Sequence, residues 1–388
     1  MKVIKSGFYV AALAAISQSV MAAPFSYEAR SLGMGNIGVA TADIATAPFA
    51  NPAMLSFQKA EDDFSLLLGV GGFFSDSDGV IDNIDQFQIA NDQYDAAILA
   101  TDPVAAAAAA SEMLLIAGDL NGKVIAPELS AAVAIGFSGE TYSMAISARS
   151  DAIIAGWANL DTTDVSTITD PALNTLNIFG VNTTEVGFSI ARSFKFMDRK
   201  VSIGLTPKVV SVEAIDYSES ISTVNTGLND LVDNGIQDLG DFTTLDIGLV
   251  MAVTDNIQVG LSAKNLITED ISYGIETLSF NTELKVGVAY SGDILTIGTD
   301  LDLIENDPVI SGGIKRQNLS LGLELDVFDF VQLRLGMIKN IAGGISSADK
   351  EAIKTAGVGL WLGFNLDVAV MVGAGDSLGA FVQTGFKF

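Results

Sequence analysis

The sequence predicts an all-β protein: a transmembrane antiparallel β-barrel of about 14 strands, with an N-terminal plug in its lumen and a helical extracellular insertion. Three observations point there. Apolar residues recur with a period of two along most of the chain, and tight turns alternate with long connections. A chain that is 49% hydrophobic, with a mean hydropathy of +0.42, has no uninterrupted apolar run of 18 residues after its first segment.

That first segment, MKVIKSGFYVAALAAISQSVMAA, carries Lys2 and Lys5, an apolar stretch at 7–16 and the small-residue cleavage pattern Val20-Met21-Ala22. It reads as a secretory signal peptide over residues 1–22, with Pro24 blocking a cut after Ala23. Next comes GMGNIG at 33–38, a letter-for-letter G-x-G-x-x-G. A dinucleotide site needs a buried strand before the glycines, a continuous helix after them and an acidic residue about 20 positions on. Glu61 meets only the last requirement; too few residues precede Gly33 for a strand, and Pro48 and Pro52 interrupt any crossover helix. Close backbone packing is the better role for Gly33, Gly35 and Gly38.

Charge narrows the function classes. Lys and Arg total 20 against 47 Asp and Glu, for a net charge of -27, so the chain repels phosphate backbones and no direct nucleic-acid binding is expected. Cys and His are both absent, which removes disulfides, thiol chemistry, His-based metal sites and the common Ser/His nucleophile pair. No cofactor, metal or catalytic residue is expected, and the chain does not read as an enzyme.

Strand-like alternation runs through 61–74, 126–138, 141–157, 183–196, 200–215, 242–254, 256–267, 275–291, 293–304, 314–327, 329–340, 353–363, 365–373 and 377–388. VQLRLGM, for example, sets Val331, Leu333, Leu335 and Met337 against Gln332, Arg334 and Gly336. A soluble sandwich turns the apolar face inward and a membrane barrel turns it outward, so alternation alone leaves both open. Connection length separates them. Each even strand ends in a short turn, as at GE (139), MDR (197) and FN (364), while most odd strands end in longer loops, such as 75–125, 158–182 and 216–241. Tight turns at one end and long loops at the other are the asymmetry of outer-membrane barrels. Phe386 and Phe388, closing the last alternating strand, read as an assembly signal.

The first long connection, the helical loop 75–125, changes period. Val80, Ile81, Ile84, Phe87 and Ile89 recur at helical spacing, Asp102-Pro103 breaks the pattern, and an Ala-rich run follows, so two helices are expected outside the wall. The run from Val104 to Gly118, broken by Ser111 and Glu112, is too short to span a membrane. Asp76, Asp78, Asp82 and Asp85 lack the glycine position of an EF-hand loop, and read as helix capping and solvated charge.

A ring of about 14 strands encloses more space than side chains fill. Residues 23–60, rich in Gly, Ala, Thr and Pro and without alternation, are the segment available to occupy it, leaving 61–388 as the barrel. Within that segment, ARSLGMGNIGVATADIATAPFANPAML resembles the N-terminal region of the FadL superfamily of outer-membrane transporters for hydrophobic compounds. The resemblance implies a fourteen-stranded barrel with an N-terminal hatch. DDFSLLLGVGG, GVIDNIDQFQIANDQYD and DVFDFVQLRLGMIKNIAGG resemble the barrel-like proteins labelled conjugal-transfer TraF. That label is shared with a thioredoxin-like protein, whose thiol chemistry a chain without cysteine does not have.

The expectation is a barrel in the outer membrane of a Gram-negative bacterium, in contact with outer-membrane lipid, that passes or holds small hydrophobic molecules. Its plug or gate is placed at Gly33, Gly35, Gly38, Asn51 and Pro52. Asn51 suits hydrogen bonding of plug backbone to the wall, and Pro52 fixes a turn; the alternative is that NPA is only a turn and helix start. The competing function is a non-transport surface component that binds conjugation or secretion proteins through the helical loop.

Overall fold

The structure, a computed structural model, describes residues 28–57, 63–75, 79–139, 141–168, 170, 173–220, 236–274, 276–307, 309, 315–328, 330–345, 347, 350–373 and 377–387. The signal peptide expected over 1–22, Asp76, Asp78 and the terminal Phe388 lie outside the described residues.

The described chain starts with α1 (Ala29–Gly33), α2 (Ala47–Ala50) and a 3-10 helix (Pro52–Ser56). Strand β1 (Phe64–Ser75) leads through helices α3 (Val80–Leu99) and α4 (Pro103–Leu120) to β2 (Val124–Phe137) and β3 (Ser143–Asn159). A short α5 (Val165–Ile168) precedes β4 (Thr175–Phe196), β5 (Arg199–Ser220), β6 (Ile236–Ala252) and β7 (Ile257–Lys264). The hairpin β8 (Glu269–Tyr273) and β9 (Glu276–Phe280) is followed by β10 (Glu283–Ser291) and β11 (Leu295–Asp302). The last five strands are β12 (Asn318–Val327), β13 (Val331–Asn340), β14 (Ile353–Trp361), β15 (Asn365–Val372) and β16 (Leu378–Lys387).

All of these strands except β8 and β9 form one closed antiparallel barrel of fourteen strands. It closes where β1 pairs with β16, with Leu66 opposite Phe386 and Val70 opposite Val382. Closure leaves no unpaired edge, the condition for placing strands in hydrocarbon. The turns after even-numbered barrel strands are tight. Between β4 and β5, Met197 and Asp198 both have positive φ (49° and 59°), the twist that a two-residue hairpin turn needs.

The sense of alternation is that of a membrane barrel. On β13, Leu333 and Leu335 are 44% and 62% exposed while Arg334 between them is 4% exposed. Leu321 and Leu325 likewise face out on β12, and Ser320 and Glu324 face in. At the C-terminus Phe386 is outward and Gln383 buried inward.

Two expectations need correction. The segment 275–291, read as one strand, is two: β9 leaves the wall and pairs with β8, from Glu269 opposite Phe280 to Tyr273 opposite Glu276. Leu278 and Phe280 are buried, whereas on β10 it is the odd positions Gly287 and Ala289 that are buried and Val288 that is exposed. A single strand would have put Leu278 and Phe280 on the lipid side with Val288, an equally acceptable apolar pattern, so periodicity could not reveal the bend. Second, α4 extends over 18 residues with mean hydropathy 1.4, long and apolar enough to cross a membrane by length and composition. It packs instead on α3 through Met113, Ile116 and Leu120 against Val80 and Ala90. Asp102 caps it, accepting from the amides of Val104 and Ala105. The N-cap of α3 is Gly79, and Asp82 sits in its first turn. Among the described residues no group of three acidic side chains is placed to hold a metal ion.

Outward-facing Leu335 gives a direct measure of this sense. Leu335→Arg should destabilise the barrel by about 2–4 kcal/mol in reversible folding into lipid vesicles if the site lies near the bilayer midplane. Unchanged stability would contradict an outward Leu335 in hydrocarbon.

Candidate functional site

Residues 28–57 fill the lumen, and the wall is carved to receive them. Inward positions on neighbouring strands are glycine: Gly298 stands opposite nothing bulkier than Gly322 on its partner strand, and Gly322 in turn pairs with Gly336. A β-carbon at Gly336 would lie 2.0 Å from the Gly35 amide nitrogen, so plug backbone rests directly on wall backbone. Farther round, Gly204 pairs with Gly248, and a β-carbon at Gly248 would lie 1.9 Å from the Asn51 Oδ1. Gly35 itself has φ +71°, a conformation glycine adopts without strain, and a side chain there would meet Leu321 and Met337 backbone.

Wall side chains then hold plug backbone by hydrogen bonds. Asp300 accepts from the Gly38 and Val39 amides at 2.7 and 2.9 Å. Thr355 accepts from the Gly35 amide at 3.0 Å and donates to the Gly33 carbonyl at 3.2 Å. Ser202 donates to the Ala53 carbonyl, Ser262 to the Ala50 carbonyl, and Gln383 accepts from the Ala29 amide. Gln258 and Lys264 donate to the carbonyls of Ala40 and Phe49. Each bond satisfies a backbone group that a loop buried in a lumen would otherwise leave orphaned.

The plug is also fixed by charge. Arg30 forks onto Glu324, with Nε to Oε2 at 3.0 Å and Nη2 to Oε1 at 2.8 Å, and donates to the Thr41 carbonyl at 2.7 Å. Arg334 shares the same carboxylate at 2.6 Å and reaches Asp367 at 2.5 Å. Two guanidiniums against two carboxylates give a compensated, hydrogen-bonded cluster, the arrangement in which buried charge is tolerated. Glu28, at the N-cap of α1, is different. Its Oε1 accepts from the Ser31 amide at 3.0 Å, while Oε2 is buried without a hydrogen-bond partner. Burial pushes its carboxyl up to about 7, with Asp43 adding to the rise and Ser31 and Arg30 opposing it.

Beyond the plug two further groups occupy the lumen. Arg149, Glu185, Lys208 and Asp246 form a chain of ion pairs at 3.1–3.3 Å, and the first three line a cavity of about 80 Å³. At the long-loop end the β8–β9 hairpin packs Leu278 and Phe280 against Ile153, Phe179, Val181 and Val210.

The sequence-derived site residues occupy two places on this plug. Gly33, Gly35 and Gly38 lie along β11–β14, where Gly33 abuts Gly357. Asn51 and Pro52 lie across the lumen against β5 and β6. Asn51 donates to the Val39 carbonyl at 2.7 Å and the Leu249 carbonyl at 3.4 Å, and its Oδ1 accepts from the Ala53 amide, capping the 3-10 helix that Pro52 opens. Val39 connects the two groups, since its amide bonds to Asp300 and its carbonyl to Asn51. Phe386 is not among them: it faces outward, its ring 6.2 Å from that of Phe364. Sequence reasoning missed the wall residues, Gly336, Gly248, Asp300, Glu324 and Asp367. The available signal was parity, since LGLEL and LRLG place Gly or a charge at alternate positions between leucines.

Fold and lumen together define a plugged fourteen-stranded antiparallel barrel. Residues 48–302, more than half of the chain, match the family model described as "F plasmid transfer operon, TraF, protein", and the chain belongs to that family. None of the curated proteins matches it in sequence. Among solved structures it is similar to the Ralstonia pickettii toluene transporter TbuX (13% identity, TM-score 0.55, covering 94% of this chain and 99% of that one). The deltaS2S3 mutant of TodX, a monoaromatic hydrocarbon channel, aligns at 12% identity and TM-score 0.56 over 93% and 99%. A Pseudomonas aeruginosa FadL homologue aligns at 11% identity and TM-score 0.53 over 95% and 99%. At these identities the likeness is one of fold.

Two measurements probe how the plug is seated. Gly336→Val should displace the α1 end of the plug, because the new side chain meets plug backbone, which cannot move aside as the end of a flexible side chain could. Faster proteolysis at Arg30 in a barrel that still shows heat-modifiable migration is the expected result. The Glu28 carboxyl adds a pH dependence. Its pKa when seated lies above the ordinary 4.5, so the seated state binds the extra proton. Seating is fully favoured below about 4.5 and weakens as pH rises through about 7. Amide exchange over α1, corrected for intrinsic rates, should therefore speed up across that window, and Glu28→Gln should flatten the response.

Proposed function

We propose that this protein passes or holds small hydrophobic molecules at the outer membrane of a Gram-negative bacterium, with residues 23–60 as a gate within the barrel 61–388. The reading includes export through a cleaved signal peptide and membrane assembly directed by Phe386 and Phe388. The observation that carries it is how the plug is held: by side-chain hydrogen bonds and ion pairs from the wall, none of which is a strand-pairing bond. The plug can therefore leave its seat without opening the ring of strands. Proteins of similar fold named as a toluene transporter and a monoaromatic hydrocarbon channel support the substrate class. Gly33, Gly35 and Gly38 would form the fixed half of the gate on β11–β14. Asn51 and Pro52 would form the latch on β5–β6.

A second reading, a surface component of a conjugation or secretion apparatus, is favoured by one feature of the helical loop. Every charged residue from 79 to 122 is acidic, and Ile98, Leu99, Val104 and Leu115 are exposed on its helices. Such a surface suits a basic, partly apolar protein partner.

Single-channel conductance in planar bilayers separates these readings. The intact protein should be closed. Deletion of 25–58 behind the intact signal peptide should insert and conduct, and Asn51→Ala with Pro52→Ala should leak at an intermediate level. Equal closure of all three forms would remove the gate from these residues, and co-purification of a stoichiometric partner would favour the scaffold.

A further inference from the structure

We propose that a pocket outside the barrel wall, beneath the α3–α4 hairpin, binds a neutral, hydrocarbon-rich small molecule. This inference rests on the reading of the protein as one that handles hydrophobic compounds, and it adds where such a compound is first held and what charge it bears. The pocket measures about 850 Å³, within the roughly 300–1,000 Å³ range of small-molecule sites. Ile84 and Phe87 of α3 roof it, and Ile125, Ile154, Gly156 and Ile178 of β2, β3 and β4 floor it. The floor belongs to the outer face of the wall. Ile153 and Ala155, the neighbours of Ile154 on β3, are buried on the lumen side with the hairpin β8–β9.

The void is a built feature. The hairpin is pinned to the wall at its far end, where the Gly122 amide donates to the Ala158 carbonyl at 3.1 Å and Asn121 Oδ1 accepts from the Leu160 amide at 3.0 Å. Helix α3 is held on α4 through Ala90 and Met113, both buried, so its Ile84–Phe87 face cannot drop onto the strands without giving up that packing. On the floor, a β-carbon at Gly156 would meet nothing nearer than the Asn177 carbonyl at 4.0 Å, so glycine leaves room that other residues would take. Clefts lined mainly by apolar side chains with a few polar groups at their edges are the usual sites for small apolar guests.

The polar side chains around the pocket set the ligand's charge. Asn174 is committed: its Nδ2 donates to the carbonyls of Thr167, Ile168 and Asp170, and its Oδ1 accepts from the Asp161 amide. Asp92 and Lys123 both line the pocket, one acidic and one basic, so its charged lining carries no net charge, while the roof carries only acidic charges from 79 to 122. With no unbalanced cation in the lining and only acidic charge on the helices above, nothing in the pocket selects a carboxylate-headed amphiphile over a neutral hydrocarbon. Trp157 borders the pocket from the wall itself: it is buried in the lumen-side cluster with Ile153 and Ala155, so it senses a guest on the outer face across the thickness of the wall.

Trp157 supplies the test, because the chain has 2 Trp and Trp361→Phe leaves it alone. In lipid nanodiscs, 1-bromonaphthalene should quench Trp157 emission saturably, and naphthalene should reverse the quenching by competition. Gly156→Phe, which fills the floor, and Ile84→Asn, on the roof, should each abolish saturable quenching while heat-modifiable migration is unchanged. Quenching that is linear in every form would reduce the effect to partitioning into lipid and overturn the site. Equal saturable quenching by 12-bromododecanoate would overturn the neutral class. Quenching by dibrominated phosphatidylcholine in the disc, with no solute added, would assign the pocket to membrane acyl chains and overturn it as a solute site. Binding is measured without flux, so loss of the gate in conductance leaves this result standing, and the reverse holds too.

Discussion

The constraint on which the rest depends is ring closure by pairing of β1 with β16. Once fourteen strands close, each backbone polar group in the wall is satisfied by its neighbours and the outer face is free to be apolar. The same closure creates a lumen too wide for the inward side chains to meet across it. Something must fill that space with its own backbone polar groups satisfied. The glycines and the inward Ser, Thr, Asp and Gln side chains are the response: glycine admits plug backbone to contact distance, and the polar side chains supply the partners that backbone requires.

Charge is sorted by the same geometry. An arginine on the lipid face is costly, whereas on the lumen face Arg334 meets Glu324 and Asp367 and becomes part of a compensated cluster. A pair of buried ions offers little net stability compared with an apolar replacement, but leaving one unpartnered is expensive. Arg30 therefore works as a discriminator of position. Seated, it completes the Glu324–Arg334–Asp367 cluster; unseated, it leaves Glu324 to Arg334 alone, a pairing that still holds the wall together. The Arg334 pairs with Glu324 and Asp367 lie wholly within the wall, whereas Arg30 meets its carboxylate only in the seated position.

Much of this was legible in the sequence because it follows from one-dimensional patterns. Strand count, the tight turns, the two helices of the first loop and the outward sense at Leu333 and Leu335 all come from period and connection length. The plug was legible by exclusion, as the segment that does not alternate. What escaped is three-dimensional pairing. The fit of Gly336 to Gly35, or of Gly248 to Asn51, depends on residues 300 and nearly 200 positions apart, and nothing local marks them. The β8–β9 hairpin escaped for a different reason. Leu278 and Phe280 sit at a parity that serves lipid contact in one register and lumen packing in another, and only the reversal at Asn281 and Thr282 decides between them. The pocket beneath α3 was hidden because its two walls come from segments that read separately as a helix face and a lipid-facing strand.

The distribution of lumen contacts bears on whether removing the plug alone would open a path. The hairpin at the long-loop end packs on Ile153, Phe179, Val181, Val210 and Val212, and draws in Leu239 and Phe242, all on β3 to β6. Helix α1 packs on the other side, with Ala29 and Leu32 against Phe73, Ile338, Met371 and Phe381 of β1, β13, β15 and β16. The two closures therefore occupy different sectors of the ring. With the plug gone, the apolar hairpin still covers the β3–β6 sector, but the sector facing β13 to β16 loses the residues that fill it. A barrel without residues 25–58 should conduct through that sector, at less than the conductance of an empty fourteen-stranded ring. Shortening the hairpin across residues 269–280 in the same barrel should then raise conductance again. A hairpin deletion that opens the intact protein by itself would reverse the assignment and place the principal seal at the long-loop end.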